Sequence, residues 1–289
     1  MKSGAALLAL MTALLLCAAT AAAEPIEFAG LTFDTQDTVI DFGETQVTDV
    51  DGLIALIGQM PNLTQVDMYA SELSTQDMDR LFDGYPQIFF GWTLHIYSHE
   101  VRTDATSFST LHGRCRAHEG EAFHVLRYCR NLVALDLGHN IIKDICFLRA
   151  FPNMKVLILA CNEIEDISVL AELTELEYLE LFTNKIKDFT PLTGLKNLKD
   201  LNISNNPIRD LSIFYEMENL ERFWTAMNKS VRGQIKDMEA ALPACEIFWD
   251  GEPTWGGWRE HHRYDTIYAI FNEGGYRPFD EPQNQEQQQ

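Results

Sequence analysis

The sequence predicts an α/β solenoid, a stack of similar coils that each contain one short strand and one short helical turn. Three observations predict this fold: a 22-residue segment occurs four times without insertions, its apolar residues fall in fixed columns, and one column is always asparagine. A unit of this size is too small to bury its own apolar side chains, so successive copies have to stack. The four copies occupy residues 131–152, 153–174, 175–196 and 197–218.

Each copy begins with its strand. Two apolar columns lie two residues apart, as at Leu135 and Leu137, so their side chains point to one side of a strand and the intervening residues point to the other. The asparagine that follows can bond the backbone of neighbouring turns only if the coils are stacked. Two residues after the next isoleucine, an aspartate suits the capping of a short helical turn. These polar columns are Asn140, Asn162, Asn184 and Asn206, and Asp144, Asp166, Asp188 and Asp210.

The resulting pattern, L-x-x-L-x-L-x-x-N-x-I-x-D, resembles the leucine-rich repeat family in its short, 22-residue form. The resemblance implies a leucine-rich-repeat solenoid: a curved stack with a parallel sheet on its concave side and short helices on its convex side. It also implies a binding scaffold, because the fold alone supports no particular reaction.

The same columns divide the rest of the chain. Residues 24–36 are expected to form an N-terminal cap, and residues 37–243 the solenoid, with an irregular region at 87–130. The pattern fails towards the C-terminus, where the last coil must meet water, so residues 244–278 are predicted to form a C-terminal capping segment. Within it, residues 259–272 have the pattern of an amphipathic helix with Tyr264, Ile267, Tyr268 and Phe271 on one side. Residues 279–289 are polar and rich in glutamine, which predicts a disordered tail.

Residues 1–23 have the composition of a signal peptide. Lys2 precedes an apolar run, and small residues at Ala21 and Ala23 precede Glu24. We therefore expect a mature chain that begins at Glu24 and is secreted or extracellular, or periplasmic in a Gram-negative host. No later apolar run is long enough to cross a bilayer, so no membrane span is expected.

The chain is strongly acidic, with 43 Asp and Glu against 22 Lys and Arg and a net charge of −21. This balance argues against nucleic acid as a partner, because phosphates require a basic surface. It favours a protein partner that is basic or neutral, although acidity also serves solubility. The sequence does not indicate an oligomeric state.

The sequence offers little for catalysis. It has no H-E-x-x-H, no G-x-S-x-G and no glycine-rich phosphate loop, and its cysteines and histidines lack the spacing of metal ligands. His261 and His262, with Glu260 and Asp265, form the only local cluster of acid–base groups. We therefore expect no enzyme activity, no catalytic residue, no cofactor and no metal site.

The outward columns of the strands predict where a partner would bind. They are acidic towards the N-terminus, at Asp41, Asp67 and Asp136, and become aromatic and mixed further along. Exposed aromatic residues with an arginine are typical of the centre of a protein interface. The predicted binding residues are Tyr178, Glu180, Phe182, Asp200, Asn202, Arg222 and Trp224. The sequence also allows Trp224 to pack under the C-terminal cap instead.

The sequence thus predicts a secreted, non-catalytic protein-binding module that uses its concave face. The alternative is an acidic structural or inhibitory scaffold that masks a basic enzyme or surface through Asp41, Asp67 and Asp136. Binding that falls steeply with added salt would favour the alternative, and weak salt dependence would favour the aromatic surface.

Overall fold

The computed structural model describes residues 24–111, 119–254 and 257–278. The expected signal peptide at residues 1–23 and the expected tail at 279–289 lie outside these residues, as does the part of the irregular region at 112–118. No helix among the described residues is both long and apolar enough to cross a membrane.

The described chain alternates short strands with helical segments. The strands are β1 (Pro25–Phe28), β2 (Leu31–Asp34), β3 (Val39–Asp41), β4 (Gln65–Asp67), β5 (Phe89–Gly91), β6 (Thr93–Ile96), β7 (His99–Arg102), β8 (Ser107–Ser109), β9 (Ala134–Asp136), β10 (Val156–Ile158), β11 (Tyr178–Glu180), β12 (Asp200–Asn202), β13 (Arg222–Trp224) and β14 (Glu246–Phe248). The α-helices are α1 (Val50–Ile57), α2 (Thr75–Gly84), α3 (Ile235–Ala241) and α4 (His262–Asn272). The 3₁₀ helices are Gly120–Tyr128, Cys146–Ala150, Ser168–Glu172, Thr190–Leu192, Ser212–Phe214 and Lys229–Gln234.

Strands β8 to β14 form one parallel sheet in chain order. The register advances by one repeat at each step, so Leu157 pairs with Leu135 on one side and with Leu179 on the other. The predicted α/β leucine-rich-repeat solenoid is therefore confirmed, with 3₁₀ helices as the helical segments of its 22-residue coils. We call the sheet face that points away from the interior of the stack the concave face.

The interior of the stack is one continuous apolar core. Leu135, Leu157, Leu179 and Leu201 are completely buried there, and the same cluster extends from Ile40 to Leu242. Full burial of a leucine contributes about 1.5–3 kcal/mol. Because each coil supplies only one or two layers of such residues, stability requires the stack, as the repeat predicts.

The asparagine column forms a ladder of hydrogen bonds between coils. The Asn184 side-chain amide donates to the carbonyl oxygens of Leu159 (2.9 Å) and Leu181 (3.0 Å). Its oxygen accepts the backbone N–H of Ile164 at 3.0 Å. Asn162 makes the equivalent contacts one coil earlier, and it too is buried. The ladder satisfies backbone groups that would otherwise be buried without partners.

The aspartate column caps the helical turns on the opposite side. A carboxylate oxygen of Asp166 accepts the backbone N–H of Ser168 at 2.8 Å, at the start of a 3₁₀ helix. Asp188 does the same for Thr190 at 2.9 Å. These bonds lower the pKa values of both carboxyl groups, because they favour the ionised form.

The N-terminal coils have a sheet of their own, in which β3, β4 and β5 pair in parallel. The β1–β2 hairpin lies against the first coil, with the rings of Phe28 and Phe33 centred 5.8 and 5.3 Å from that of Phe42. Ser71 stands in the ladder column here, and its hydroxyl oxygen accepts the backbone N–H of Val47 at 2.9 Å. A serine thus supplies the acceptor half of the asparagine contact.

The irregular region contains an antiparallel hairpin, β6–β7, between the two parallel sheets. Its base is fixed by Thr103, whose hydroxyl donates to the Phe90 carbonyl oxygen (2.8 Å) and accepts the Trp92 backbone N–H (3.0 Å). Because the hairpin follows β5 directly, β5 and β8 do not pair, and the sheet is interrupted while the core beneath it continues.

The C-terminal residues lie across the sheet instead of only closing its end. Strand β14 adds to the edge beside β13, and α4 then contacts β8 and β9 at the far side of the same sheet. We call residues 257–278 the C-terminal segment. The apolar side of α4 packs on the concave face, so this part of the predicted capping segment at residues 244–278 covers the sheet, whereas β14 extends its edge.

We expect Asn184→Ala to destabilise the protein by about 2 kcal/mol, because the buried Ile164 N–H loses its acceptor. The carbonyl oxygens of Leu159 and Leu181 each lose one of two amide donors and keep those of Asn162 and Asn206. Urea unfolding followed by circular dichroism measures the change. The control is Asn197→Ala, which removes one exposed hydrogen bond to the Thr174 carbonyl oxygen and is expected to cost less than about 1 kcal/mol. Equal losses in the two variants would contradict the role of the ladder.

Candidate functional site

The sheet register brings the seven predicted binding residues together on the concave face of β11, β12 and β13. Neighbouring strands place cross-strand partners about 4.8 Å apart. One column across the strands consists of Tyr178, Asp200 and Arg222, and a second consists of Glu180, Asn202 and Trp224. Phe182 follows β11 and lies beside the second column. The columns themselves are those that the sequence predicts.

None of these seven side chains faces solvent, so the expectation of an exposed docking surface is wrong at these positions. Their exposed fractions are 0% for Tyr178, Glu180, Asn202 and Trp224, 1% for Asp200, 2% for Arg222 and 5% for Phe182. The physical reason is the C-terminal segment, which covers this half of the concave face and forms a second apolar core with it.

Trp258 is the centre of this second core. Its ring lies 5.4 Å from that of Tyr178 and 5.2 Å from that of Trp224, and it is completely buried. Ile267 and Ile270 of α4 are buried in the same cluster, together with concave-face residues of β9 and β10. Each of these side chains contributes about 1.5–3 kcal/mol by its burial, so the segment is held mainly by apolar contact.

An ionic network fixes the start of the segment. One Asp200 oxygen accepts from Arg263 at 2.8 Å and the other lies 3.3 Å from Arg222. Arg222 also donates to the carbonyl oxygens of Gly257 (3.1 Å) and Trp258 (3.0 Å), and Arg263 pairs with Glu221. Glu246 lies 3.7 Å from Arg222, so the two buried guanidinium groups have three carboxylate partners, which offsets part of the cost of removing these charges from water.

Glu180 lies beneath Trp258 and is completely buried. One carboxylate oxygen accepts the Trp258 indole N–H at 2.8 Å and the Tyr178 hydroxyl. The other, Oε2, has no hydrogen-bond partner among the described residues. Burial raises the pKa of Glu180, because removal from water disfavours the charged form.

Asp136 is a second buried carboxyl group on this face, two strands away from Glu180. It accepts the backbone N–H of Gly138 at 2.9 Å and the hydroxyl of Ser109 at 3.3 Å. Burial raises its pKa to about 7, and the charge of Glu180 adds to the effect. In the acidic column predicted from Asp41, Asp67 and Asp136, Asp41 is therefore exposed, Asp67 is half-buried and Asp136 is buried.

The end of the segment is bound at the opposite side of the sheet. The Ser107 hydroxyl donates to the Ile270 carbonyl oxygen at 3.0 Å and accepts the Gly275 N–H at 3.2 Å. The Thr106 hydroxyl accepts the Tyr276 N–H at 3.1 Å. The segment therefore extends from β13 to β8, over the whole width of the 22-residue coils.

Sequence reasoning missed the residues that make this contact. It predicted the amphipathic helix but assigned Tyr268 to the apolar side, whereas Tyr268 is 61% exposed and Ile270 is buried. It gave no role to Trp258 or Arg263. A signal was present, since an apolar helix face after the last coil requires some apolar surface to cover.

The N-terminal half of the concave face is open. Its exposed or half-buried residues on β3 and β4, and just beyond β4, define the open concave patch: Val39, Asp41, Gln65, Asp67 and Tyr69. Asp41 and Asp67 are cross-strand partners, so two carboxylates stand side by side. Like charges in directly opposed positions are destabilising.

Polar contacts hold the patch in place. The Gln65 amide donates to Asp67 at 2.8 Å, and the Arg102 guanidinium lies 3.5 Å above the Tyr69 ring while pairing with Asp104 at 2.8 Å. Burial raises the pKa of Asp67, and the charges of Asp41 and Asp104 act in the same direction. The patch therefore combines an aromatic ring with carboxylates that repel one another.

The histidine cluster has a structural role. His261 precedes α4, and its Nδ1 accepts the backbone N–H of Arg263 at 3.3 Å. Burial lowers its pKa to about 4, and the nearby charge of Arg222 contributes. No group of three or more His, Cys, Asp or Glu that could hold a metal ion occurs in the part of the chain that the structure describes.

Comparison with known proteins agrees with the coils of the fold. A family model described as "Leucine Rich repeats (2 copies)" matches residues 152–194. None of the curated proteins matches the sequence.

Similar solved structures include two internalins of Listeria monocytogenes, inlF (20% identity, TM-score 0.45) and inlC2 (22%, 0.36). A leucine-rich-repeat protein of Leptospira interrogans is also similar (18%, 0.40). The matches cover 74%, 74% and 67% of this chain, respectively. They cover 56%, 80% and 50% of those chains, so this chain spans about half the length of the first and third.

We expect Asp136→Asn to stabilise the protein at pH 8 and to flatten its pH dependence. The native pKa of about 7 lies above the usual value of 3.8, so the native state binds the proton more tightly than the unfolded state. The contribution of Asp136 to stability is therefore fully present below about pH 4 and is lost, on the order of a few kcal/mol, as pH rises to about 7.

Urea unfolding at several pH values between 4 and 8 measures this difference. The two proteins should differ least at pH 4, where the aspartate is protonated in the native state and still partly protonated in the unfolded state, whose pKa is 3.8. A variant that follows the wild-type curve at every pH would show that Asp136 does not ionise beneath the segment.

Proposed function

Because the chain is a leucine-rich-repeat protein, we propose that it is a secreted, non-catalytic protein-binding module that docks a basic protein on the open concave patch. The fold supports protein binding in general and no particular reaction. The secreted location rests on the signal-peptide pattern of residues 1–23.

The observation that carries the proposal is the cross-strand pair of Asp41 and Asp67 on an accessible part of the sheet. A lysine or arginine of a partner, placed between them, would relieve their repulsion and gain charge-assisted hydrogen bonds. The repulsion destabilises the free protein. A basic partner removes the repulsion on binding, and this gain adds to the affinity. The concave-face binding module and the acidic scaffold for a basic protein, both predicted from the sequence, then describe one activity: binding of a basic partner.

The charge of the surrounding chain supports the same partner. Residues 24–104 contain fifteen Asp and Glu but only Arg80 and Arg102 as basic residues. A surface of one sign attracts a partner of the opposite sign over distances of about a Debye length, roughly 8 Å at physiological salt. Electrostatic attraction of this kind raises the association rate and discriminates against acidic proteins.

The aromatic member of the patch provides the remaining contact. Tyr69 is half-buried under the Arg102 guanidinium, and Val39, 47% exposed, adds apolar area on the other side of the aspartate pair. Tyrosine and arginine are enriched at the centres of protein interfaces. The covered residues from Tyr178 to Trp224 are not part of this proposal, because a partner cannot reach them while the C-terminal segment is in place.

The double variant Asp41→Asn, Asp67→Asn is expected to weaken binding of a basic partner about tenfold, because it removes the charges that the partner neutralises. The partner is first captured from the native surroundings with the mature chain, and calorimetric titration at two salt concentrations then measures affinity. The variant should also lose less affinity than wild type when salt is added.

The matched control is Glu27→Gln with Glu44→Gln, which removes two exposed carboxylates outside the patch and the same net charge. It is expected to change affinity less than threefold. If both double variants weaken binding equally, net charge and not the patch attracts the partner. If neither does, the proposed docking surface is wrong.

A further inference from the structure

The C-terminal segment binds the concave face in the manner of a ligand. Strands β9 to β13 pair with one another through their own backbones, and the segment is attached to them chiefly through side chains such as Trp258 and Arg263. The asparagine ladder lies inside the stack and makes no contact with the segment. Release of the segment would therefore leave intact the backbone hydrogen bonds between the strands and the hydrogen bonds of the asparagine ladder.

The chain enters the segment through the connection that follows β14. Gly251 in this connection and Gly257, the first residue of the segment, have φ values of +100° and +122°, which glycine adopts without the strain that other residues would have. A short connection with such residues can absorb a large change in backbone direction.

The C-terminal segment leaves two buried polar atoms of the face that it covers without a hydrogen-bond partner among the described residues. Glu180 Oε2 and Trp224 Nε1 are completely buried, and among the described residues neither has a hydrogen-bond partner. Leaving a buried polar atom unsatisfied is unfavourable, and the penalty is larger for a charged group. A different occupant that supplied a donor to Glu180 and an acceptor to Trp224 would compete effectively with the segment.

We propose that the covered half of the concave face is a second docking site, and that the C-terminal segment is its resident ligand, displaced by a basic amphipathic helix of a protein partner. The segment itself indicates the required chemistry. Its Trp258 fills the space between Tyr178 and Trp224, and Arg263 meets Asp200.

Charge complementarity selects a basic helix. The covered face presents the carboxyl groups of Asp136, Glu180 and Asp200, against the single guanidinium of Arg222 on its own strands. The segment brings Arg259 and Arg263 to these acids. A competing helix needs an arginine in its first turn and aliphatic residues one and two turns further on, as at Arg263, Ile267 and Ile270. A large aromatic residue must precede the helix in a turn, five residues before the arginine, as Trp258 does.

This site is separate from the open concave patch, so the two proposals can fail independently. The patch lies on β3 and β4, whereas the segment reaches only as far as Thr106 and Ser107 beside β8. Neutralising Asp41 and Asp67 is expected to leave displacement of the segment unchanged.

Hydrogen exchange of the wild-type chain tests whether the segment opens by itself. The central amides of α4, at Ile267 and Ile270, are expected to exchange at least tenfold faster than those of β10 and β11, because they need only the release of the segment. Equal protection of α4 and β11 would mean that the segment leaves only when the whole protein unfolds, and would overturn the proposal.

Peptide binding tests whether the site accepts another helix. The probe is a fluorescent synthetic peptide with the sequence of residues 257–278, added to the full chain. Trp258→Ala weakens the resident segment, so this variant is expected to bind the peptide at least tenfold more tightly than wild type does. A peptide that carries the same substitution should bind the variant at least tenfold more weakly.

Two further variants make the result decisive. Arg263→Gln removes a contact with Asp200 while Arg222 remains, and it replaces Trp258→Ala if that variant fails to fold by circular dichroism. Tyr268→Ala, at an exposed position of α4, is the control and should bind as wild type does. If all chains bind the peptide equally, or if none binds it, the covered face is an interior surface and not a docking site.

Discussion

The packing of Trp258 between Tyr178 and Trp224 determines which part of this solenoid can meet another protein. One indole ring joins the apolar core of the segment to a buried carboxylate, since its N–H donates to Glu180 at 2.8 Å. With this contact in place, the aromatic half of the concave face is an interior surface. The acidic half, around Asp41 and Asp67, remains the accessible one. Binding of a basic protein therefore needs no rearrangement, whereas binding to the aromatic half requires release of the segment.

The stack could be predicted from sequence because its columns have functions that only stacking can fulfil. Asn184 bonds two coils at once, and Leu179 is buried only when Leu157 and Leu201 lie beside it. Other features had no such signal. Thr183 has a φ of +56°, and the coils share no residue type at this point that would indicate a left-handed backbone, since the column reads His139, Cys161, Thr183 and Asn205. The hairpin that interrupts the sheet after β5 likewise follows from contacts of Thr103, which no periodic pattern contains.

The sequence predicted which residues of the candidate site are neighbours on the sheet, but it did not predict that they are buried. Register follows from the local period, so the neighbours Glu180, Asn202 and Trp224 could be identified. Exposure depends on a contact between residues 78 positions apart, Trp258 and Glu180, and local periodicity does not describe such contacts. The sequence also allowed Trp224 to pack under the C-terminal cap, and the structure agrees with this alternative. Its large aromatic side chain is buried by contact with Trp258 of the C-terminal segment.

Carboxyl labelling of the native chain with a water-soluble carbodiimide, followed by mass spectrometry, tests the division of the concave face most directly. The account predicts that Asp41 and Asp67 are modified in the native state, and that Asp136, Glu180 and Asp200 are modified only after unfolding in urea. Equal modification of both groups in the native protein would contradict it, because the C-terminal segment would then not cover the sheet.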